Sequence, residues 1–469
     1  MSEKTKQLKE MLFNKKENAI DFMSEEELAV CDDFCEGYKE FLQECKTERE
    51  VAAFVEDLAL SNGFVKFDEF GDTLAPGDKV YYANRGKAII LCVKGKRSIK
   101  DGVRISAAHI DSPRIDLKQC PVYEEDGLGY FKTHYYGGIK KYQWTAIPLS
   151  LHGRICKNDG SFVDVKIGEA AGEPKFCITD LLPHLDREQM ERKSNDIVKG
   201  EELNVVIGSR PFKDDEESER IKLNLLSLLY EKYGIVERDF LSAELELVPA
   251  FTVDDIGFDR SLIGGYGHDD RVCSYPALQA ILDIEDAPEY TAVTVLTDKE
   301  EIGSDGNTGL ASSYLKYFIE DLARLEGYEG RDVLRNSMCL SADVNAAYDP
   351  TWGSAFEKSN ASFINQGVCV TKFTGHGGKY GTSDASAEFV SFVKNMLEEN
   401  GVLWQSGELG KVDNGGGGTV ALFIANLDVD TIDVGVPVLS MHAPYELVSK
   451  TDVYMTYKAF LTFFTKLKA

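Results

Sequence analysis

The 469-residue chain has room for about two to four domains of ordinary size. Its 43% hydrophobic and 10% aromatic content excludes a disordered polymer. With 79 acidic against 52 basic residues the net charge is -27, which argues against nucleic acid and anionic membrane surfaces as partners but not against metal cations.

The opening stretch MSEKTKQLKEMLFNKKENAI has no apolar core of the secretory-signal kind, and no apolar run of about 18 residues predicts a membrane span. Residues 1–62 predict helix, with apolar residues at three- and four-residue spacing and Gly63 ending the pattern. Residues 79–95 predict a β-hairpin turning around Asn84–Gly86, and 103–112 a buried strand running into a polar loop. From 116 to 250 the texture changes to short alternating stretches such as HGRICKNDGSFVDVKIG, followed by the charged run REQMERKSNDIVKGEE. This predicts a smaller β-rich domain with a helix or two. From 251 to 469, apolar strands (YTAVTVLTD, SMCLSADV, GVCVTKF, VGVPVLSMH) alternate with amphipathic helices (SYPALQAILDIED, TGLASSYLKYFIEDLARL, SDASAEFVSFVKNMLEE), and a last helix closes the chain. The strand ending at His109 has the texture of these later strands. The expectation is therefore an α/β domain built from 1–115 and 251–469, with 116–250 inserted into it. The ten cysteines form no CxxC pair and lie mostly in apolar runs, such as Cys92 in AIILCV. They read as reduced core residues of a cytoplasmic protein.

Several strands end in a histidine or carboxylate. SAAHID carries His109 and Asp111, GYGHDDR carries Asp269 and Asp270, and VLTDKEEIGS carries Glu300 and Glu301; LSADVN carries Asp343 and LSMHAP carries His442. In open α/β sheets ligands bind at the carboxyl ends of strands, so these distant residues can converge. Imidazole nitrogen and carboxylate oxygen are donors that zinc accepts. Two histidines and three carboxylates can hold two divalent ions when one carboxylate bridges. In the Glu300–Glu301 pair one residue can ligate while the other stays free as general base. Asp111, two residues after His109, is placed to accept the second imidazole N–H.

Each motif alone has a plainer reading. HxD is common, a Glu–Glu pair is usually a solvated face, and an Asp–Asp pair is often a turn or helix cap. The shared position at the ends of apolar strands sets the group apart, because an unpaired charge is costly to bury there. Of the other histidines, His152 reads as structural, His268 as a neighbour of Asp269, His184 as a helix-start residue, and His134 and His376 as loop residues.

The chain resembles the aspartyl aminopeptidase family, which includes vacuolar aminopeptidase I, and its bacterial members most of all. The resemblance rests on SAAHIDSPRIDLK, HYYGGIKKYQW, TDLLPHL, GHDDRVCSYPAL, DKEEIGS, SADVNAAYDP and MHAPYE, spread over nearly the whole chain. It implies a zinc-type di-metal exopeptidase with an α/β/α catalytic domain and an inserted β-rich dimerisation domain. It implies Asp269 rather than Asp270 as the bridge between two metal ions, with His109 and Asp343 on one ion, Glu301 and His442 on the other, and Glu300 as catalytic base. It also implies dimers assembled into a dodecamer, with His184 entering a neighbouring subunit's active site. Lys379 and Tyr380 match a basic–Tyr pair near the substrate pocket. The ending MHAPYELVSKTD is closer to tetrahedral glutamyl and leucyl aminopeptidases and points towards neutral substrates. The expectation drawn is an aminopeptidase acting on peptide N-termini, with Asp and Glu preferred over Leu. The alternatives are a broad or Leu-type aminopeptidase, another di-metal hydrolase such as a carboxypeptidase or deacylase, and a non-catalytic scaffold.

Overall fold

Ala88–Val93, Val103–His109 and Thr291–Thr297 are buried at every position. Apolar runs without alternation are what strands covered on both faces require. In the computed structural model, which describes residues 2–14, 16–157, 159–213 and 218–467, they form the centre of a nine-stranded sheet. From edge to edge its order is Val65–Lys66, Lys79–Asn84, Ala88–Val93, Thr291–Thr297, Val103–His109, Met338–Ser341, Asp430–Gly435, Val368–Thr371 and Trp404–Ser406. The four strands from Thr291–Thr297 to Asp430–Gly435 are parallel, with Thr297 opposite His109 and Ala107 opposite Ser341. Their carboxyl ends therefore open on the same edge of the sheet.

Helices cover both faces. Ile89 and Leu91 pack with Phe41, Val55, Leu278, Val393 and Phe460 on one side. Ile90 and Cys92 pack with Leu315, Phe318, Leu322 and Ile424 on the other. Alternate residues of one strand thus feed two cores. Each fully buried Leu or Ile contributes roughly 1.5–3 kcal/mol. The architecture is α/β/α, as expected.

Two details depart from the sequence reading. The N-terminal helical stretch is divided into Glu3–Leu12, Ala19–Phe22, Glu25–Glu44 and Glu48–Ser61. The side chains of Asn18, Ser24 and Thr47 accept backbone N–H groups at the starts of the last three and so cap each new helix. The run VGVPVLSMH is two strands in different sheets, not one. Asp430–Gly435 lies in the large sheet, while Pro437–Leu439 joins a five-stranded sheet with Asp254–Ile256, Leu262–Gly265, Glu446–Ser449 and Asn345–Ala346. Pro437 lacks the N–H that would continue a central ladder. The predicted hairpin forms as expected, with Lys79–Asn84 paired to Ala88–Val93 and the turn residues Arg85 and Gly86 at φ 58° and 64°.

A seven-stranded antiparallel sheet lies between Arg114 and Pro249. Its order is Phe162–Ile167, Leu149–Cys156, Ala243–Pro249, Arg114–Glu125, Leu128–Tyr136, Val205–Gly208 and Cys177–Ile178. Its core is separate and includes Phe131, Trp144, Leu151, Phe240 and Leu247. The strand Arg114–Glu125 follows His109 after four residues, so this sheet begins where the parallel sheet opens. Polar contacts tie the two bodies together. His152 is fully buried, with Nδ1 2.8 Å from Glu50 Oε1 and Nε2 3.0 Å from Glu169 Oε1, and Lys46 Nζ donates to Glu169 at 2.9 Å. Burial opposes a charge on His152, but the two carboxylates raise it above its ordinary range. Its structural role is this bridge.

Candidate metal centre

Five elements deliver the site. His109 is the last residue of its strand, Glu300 and Glu301 sit in the turn after Thr297, and Asp343 follows Ser341 by two residues. Asp269 lies at the entrance of the helix His268–Leu282, and His442 follows the strand Pro437–Leu439. Asp269 occupies the middle. Its Oδ1 is 3.1 Å from His109 Nε2, and its Oδ2 is 3.1 Å from His442 Nε2. Glu301 Oε2 is 3.6 Å from His442 Nε2, and Glu300 Oε2 is 3.9 Å from His109 Nε2. Donor atoms of His109, Asp269 and Glu301 lie within 4.8 Å of one another, as do those of His109, Asp270 and Asp343.

The donor set fits divalent cations. Among the described residues, Asp270 Oδ1, Glu301 Oε1 and Asp343 Oδ2 are buried without a hydrogen-bond partner. Buried carboxylate oxygens are costly unless paired or metal-bound. Burial pushes the carboxyls of Glu301, Asp343 and Asp270 well above their ordinary range and that of Glu300 up to about 7. Burial opposes charge on Asp269 too, but hydrogen bonds from His109 and His442 hold it below the ordinary range. Burial likewise opposes charge on the histidines. Even so, Asp111 and Asp269 raise His109, and Asp269 with Glu301 raises His442 to about 11. The carboxylates thus draw positive charge onto the imidazoles, and a metal ion competes for the same nitrogens by releasing those protons.

An outer layer orients these groups. His109 Nδ1 donates to the backbone carbonyl of Asp111 at 3.0 Å, while Asp111 Oδ1 lies at 3.4 Å. The anchor for the imidazole is thus the Asp111 carbonyl more than its carboxylate. The carboxylate instead accepts the N–H groups of Glu300 (3.1 Å) and Glu301 (3.2 Å) and the hydroxyl of Tyr136 (2.8 Å). His442 Nδ1 donates to the Gly138 carbonyl at 2.8 Å. Glu446, fully buried, accepts the His442 N–H at 2.6 Å and the Asp269 N–H at 3.1 Å. Sequence reasoning missed Tyr136, Gly138, Glu446 and the proximity of Asp270 to Asp343. The only available signal was their place inside or beside the family motifs. His268 is a neighbour, as expected: Tyr38 Oη lies 2.7 Å from its Nδ1, and burial with the Arg271 charge lowers it to about 3.

The family model for aminopeptidase I zinc metalloproteases, M18, matches residues 41–464. The chain belongs to the M18 family. This M18 chain is 45% identical over 457 residues to a probable M18 family aminopeptidase 1 of Borrelia garinii, covering 96% of this chain and 99% of that one. Its fold superposes on the crystal structure of an M18 aminopeptidase from Thermotoga maritima with a TM-score of 0.93 at 42% identity, covering 97% and 100% of the two chains. It shares its fold, at 21% identity and a TM-score of 0.74, with an S. cerevisiae protein described as the mApe1 dodecamer, covering 93% of this chain and 97% of that one. The M18 chain is thus a metal-dependent aminopeptidase and a hydrolase, not a carboxypeptidase, deacylase or scaffold.

Three residues singled out in this M18 sequence lie apart from the cluster's hydrogen bonds. His184 is exposed in a turn beside Leu181, Leu182 and Leu185, which are 51%, 50% and 67% exposed. Lys379 pairs with Asp384 at 3.0 Å and lies 3.7 Å from the centre of the Phe373 ring. Tyr380, next to it, is exposed. No helix among the described residues is long and apolar enough to cross a membrane.

Proposed function

We propose that this M18 aminopeptidase holds two divalent ions, zinc by preference. His109 and Asp343 would serve one, Glu301 and His442 the other, with Asp269 shared between them. The observation that supports this reading is the Asp269 carboxylate, flanked at 3.1 Å by a histidine on each side. When bound, such ions supply Lewis acidity towards a peptide carbonyl and a water. Glu300 accepts the proton of the attacking water and returns it to the leaving amine. The free amino terminus of the peptide would bind near one ion and its acidic ligands, which would restrict cleavage to the first residue. Chelation followed by titration with zinc is the test: activity on an aminoacyl-anilide should vanish and return as two equivalents per chain are restored. Full activity at one equivalent would sink the two-ion reading.

His184 is assigned to the active site of a partner copy, where its imidazole would stabilise the developing oxyanion. It is exposed in this chain amid leucines that favour burial, and the yeast relative of the same fold is a dodecamer. Exposed apolar side chains grouped in this way mark interaction surfaces. Light scattering should therefore show a closed assembly of dimers, most simply a dodecamer. A stable monomer with full activity would contradict both the assembly and the role of His184. A cytoplasmic location is supported by ten cysteines that are all unpaired.

Acidic N-terminal residues are the proposed preference. The support for it is the family resemblance of this loop, where Lys372 and Lys379 both pair with the carboxylate of Asp384. Tyr380 beside them offers a hydroxyl. Lys379→Ala should lower kcat/KM on Asp- or Glu-initiated substrates about tenfold, the worth of one charge-assisted hydrogen bond. Substrates starting with Leu should be unaffected; an equal loss on both would show that Lys379 does not read the side chain.

A further inference from the structure

The antiparallel sheet contributes more to the centre than an edge. Its strand Leu128–Tyr136 pairs with Arg114–Glu125, with Tyr136 opposite Arg114, and runs off the end of the sheet into Gly137 and Gly138 beside the metal cluster. The hydroxyl of Tyr136 donates to Asp111 Oδ2 at 2.8 Å. Asp111 is fully buried, and its two carboxylate oxygens also take the N–H groups of Glu300 and Glu301. The same carboxylate therefore fastens both the general base and the neighbouring ligand by their main chains, and its third donor comes from the antiparallel sheet. Burial and the Asp111 charge keep the phenol protonated, so it remains a donor. The Arg114 guanidinium lies 4.0 Å from the centre of the Tyr136 ring and is itself held by Glu48 and Asp116, at 3.0 and 2.9 Å. The ring is thus clamped from behind.

Two residues on, the Gly138 carbonyl accepts the Nδ1 proton of His442 at 2.8 Å and directs Nε2 towards Asp269. Gly137 is favoured by its backbone conformation, and both glycines sit in close fit against a candidate ligand. Gly137 has φ +76°, and a Cβ there would stand 3.2 Å from Glu301 Oε2; a Cβ on Gly138 would stand 3.3 Å from His442 Nδ1.

We infer that Tyr136–Gly138 is a positioning element for both proposed metal subsites, with Tyr136 acting through Asp111 on Glu300 and Glu301 and Gly138 acting on His442. This inference rests on the two-ion reading above. Outer-layer partners of metal ligands typically change affinity by about 10- to 100-fold when removed. The effect should appear in metal retention as well as in turnover.

The decisive variant is Tyr136→Phe, which keeps the ring against Arg114 and removes only the donated hydrogen bond. Chelator competition on the purified full-length protein should show zinc held about tenfold or more weakly. The value of kcat should fall while KM changes little, and the melting temperature of the metal-free chain should match wild type. Gly138→Ala, which crowds His442, should weaken one of two zinc equivalents selectively. Tyr135→Phe, on the opposite face of the same strand, should match wild type throughout. Unchanged zinc retention and kcat in Tyr136→Phe, with wild type binding two equivalents, would overturn this inference alone. A lower melting temperature of the metal-free Tyr136→Phe chain with unchanged zinc affinity would also overturn it, by showing a merely structural role. A wild-type chain that takes up no activity-linked zinc would overturn the two-ion reading and this inference with it.

Discussion

Glu300→Gln is expected to retain its metal and to lose turnover by about 10²- to 10⁴-fold, the range of general acid–base catalysis. Glu300 and Glu301 are adjacent, yet the structure separates them. The Glu301 side chain is 3% exposed and faces His442, while that of Glu300 is 18% exposed and is the more open to an incoming substrate. Only Glu301 belongs to a group of donor atoms close enough to hold an ion. Glutamine has nearly the same shape and cannot carry the proton. The contact of residue 300 with Asp111 is through its backbone N–H, which the substitution leaves in place. The paired measurement is kcat on an aminoacyl-anilide together with metal content of the same sample. Turnover near wild type would remove Glu300 from the role of base.

Asp269→Ala is expected to empty both metal subsites, whereas Asp343→Ala should spare the ion on Glu301 and His442. The asymmetry follows from position. Asp269 reaches both histidines, while Asp343 groups with His109 and Asp270 alone. Loss of Lewis acidity worth several kcal/mol at each ion predicts a fall in kcat/KM of about 10³-fold or more for Asp269→Ala. Metal analysis of the two variants beside wild type should read close to none, one and two equivalents. An Asp269→Ala protein that keeps one ion as firmly as Asp343→Ala would show that the carboxylate is not shared.

Much of the centre is legible in the sequence. The strands around His109, Glu300 and Asp343 are continuous apolar runs, so their charged ends stand out against a local pattern that needs no partner to recognise. The choice between Asp269 and Asp270 is not legible from chemistry, since both are acidic and adjacent. In the fold, Asp269 turns its carboxylate between the two histidines, while Asp270 Oδ2 accepts the backbone N–H of His109 at 3.3 Å. Nor is the role of Asp111 fully legible. Its spacing from His109 points to the imidazole, but its carboxylate holds the main chain of residues 189 and 190 positions further on.

Local rules thus set much of the elements and their chemistry: which runs are covered strands, and which strand ends carry histidines or carboxylates; the caps at Asn18, Ser24 and Thr47 are equally local, although 1–62 reads as one helical stretch. These follow from backbone periodicity and capping, which act over a few residues. The tertiary structure decided the rest. It sent VGVPVLSMH into two sheets, set His442 against a carbonyl 304 positions earlier, and brought Tyr136 from the antiparallel sheet to Asp111. Such contacts depend on sheet register and on the direction in which each side chain leaves its strand, and a one-residue shift in pairing reverses that direction. Those quantities are settled only when distant strands pair, so no short stretch of sequence contains them.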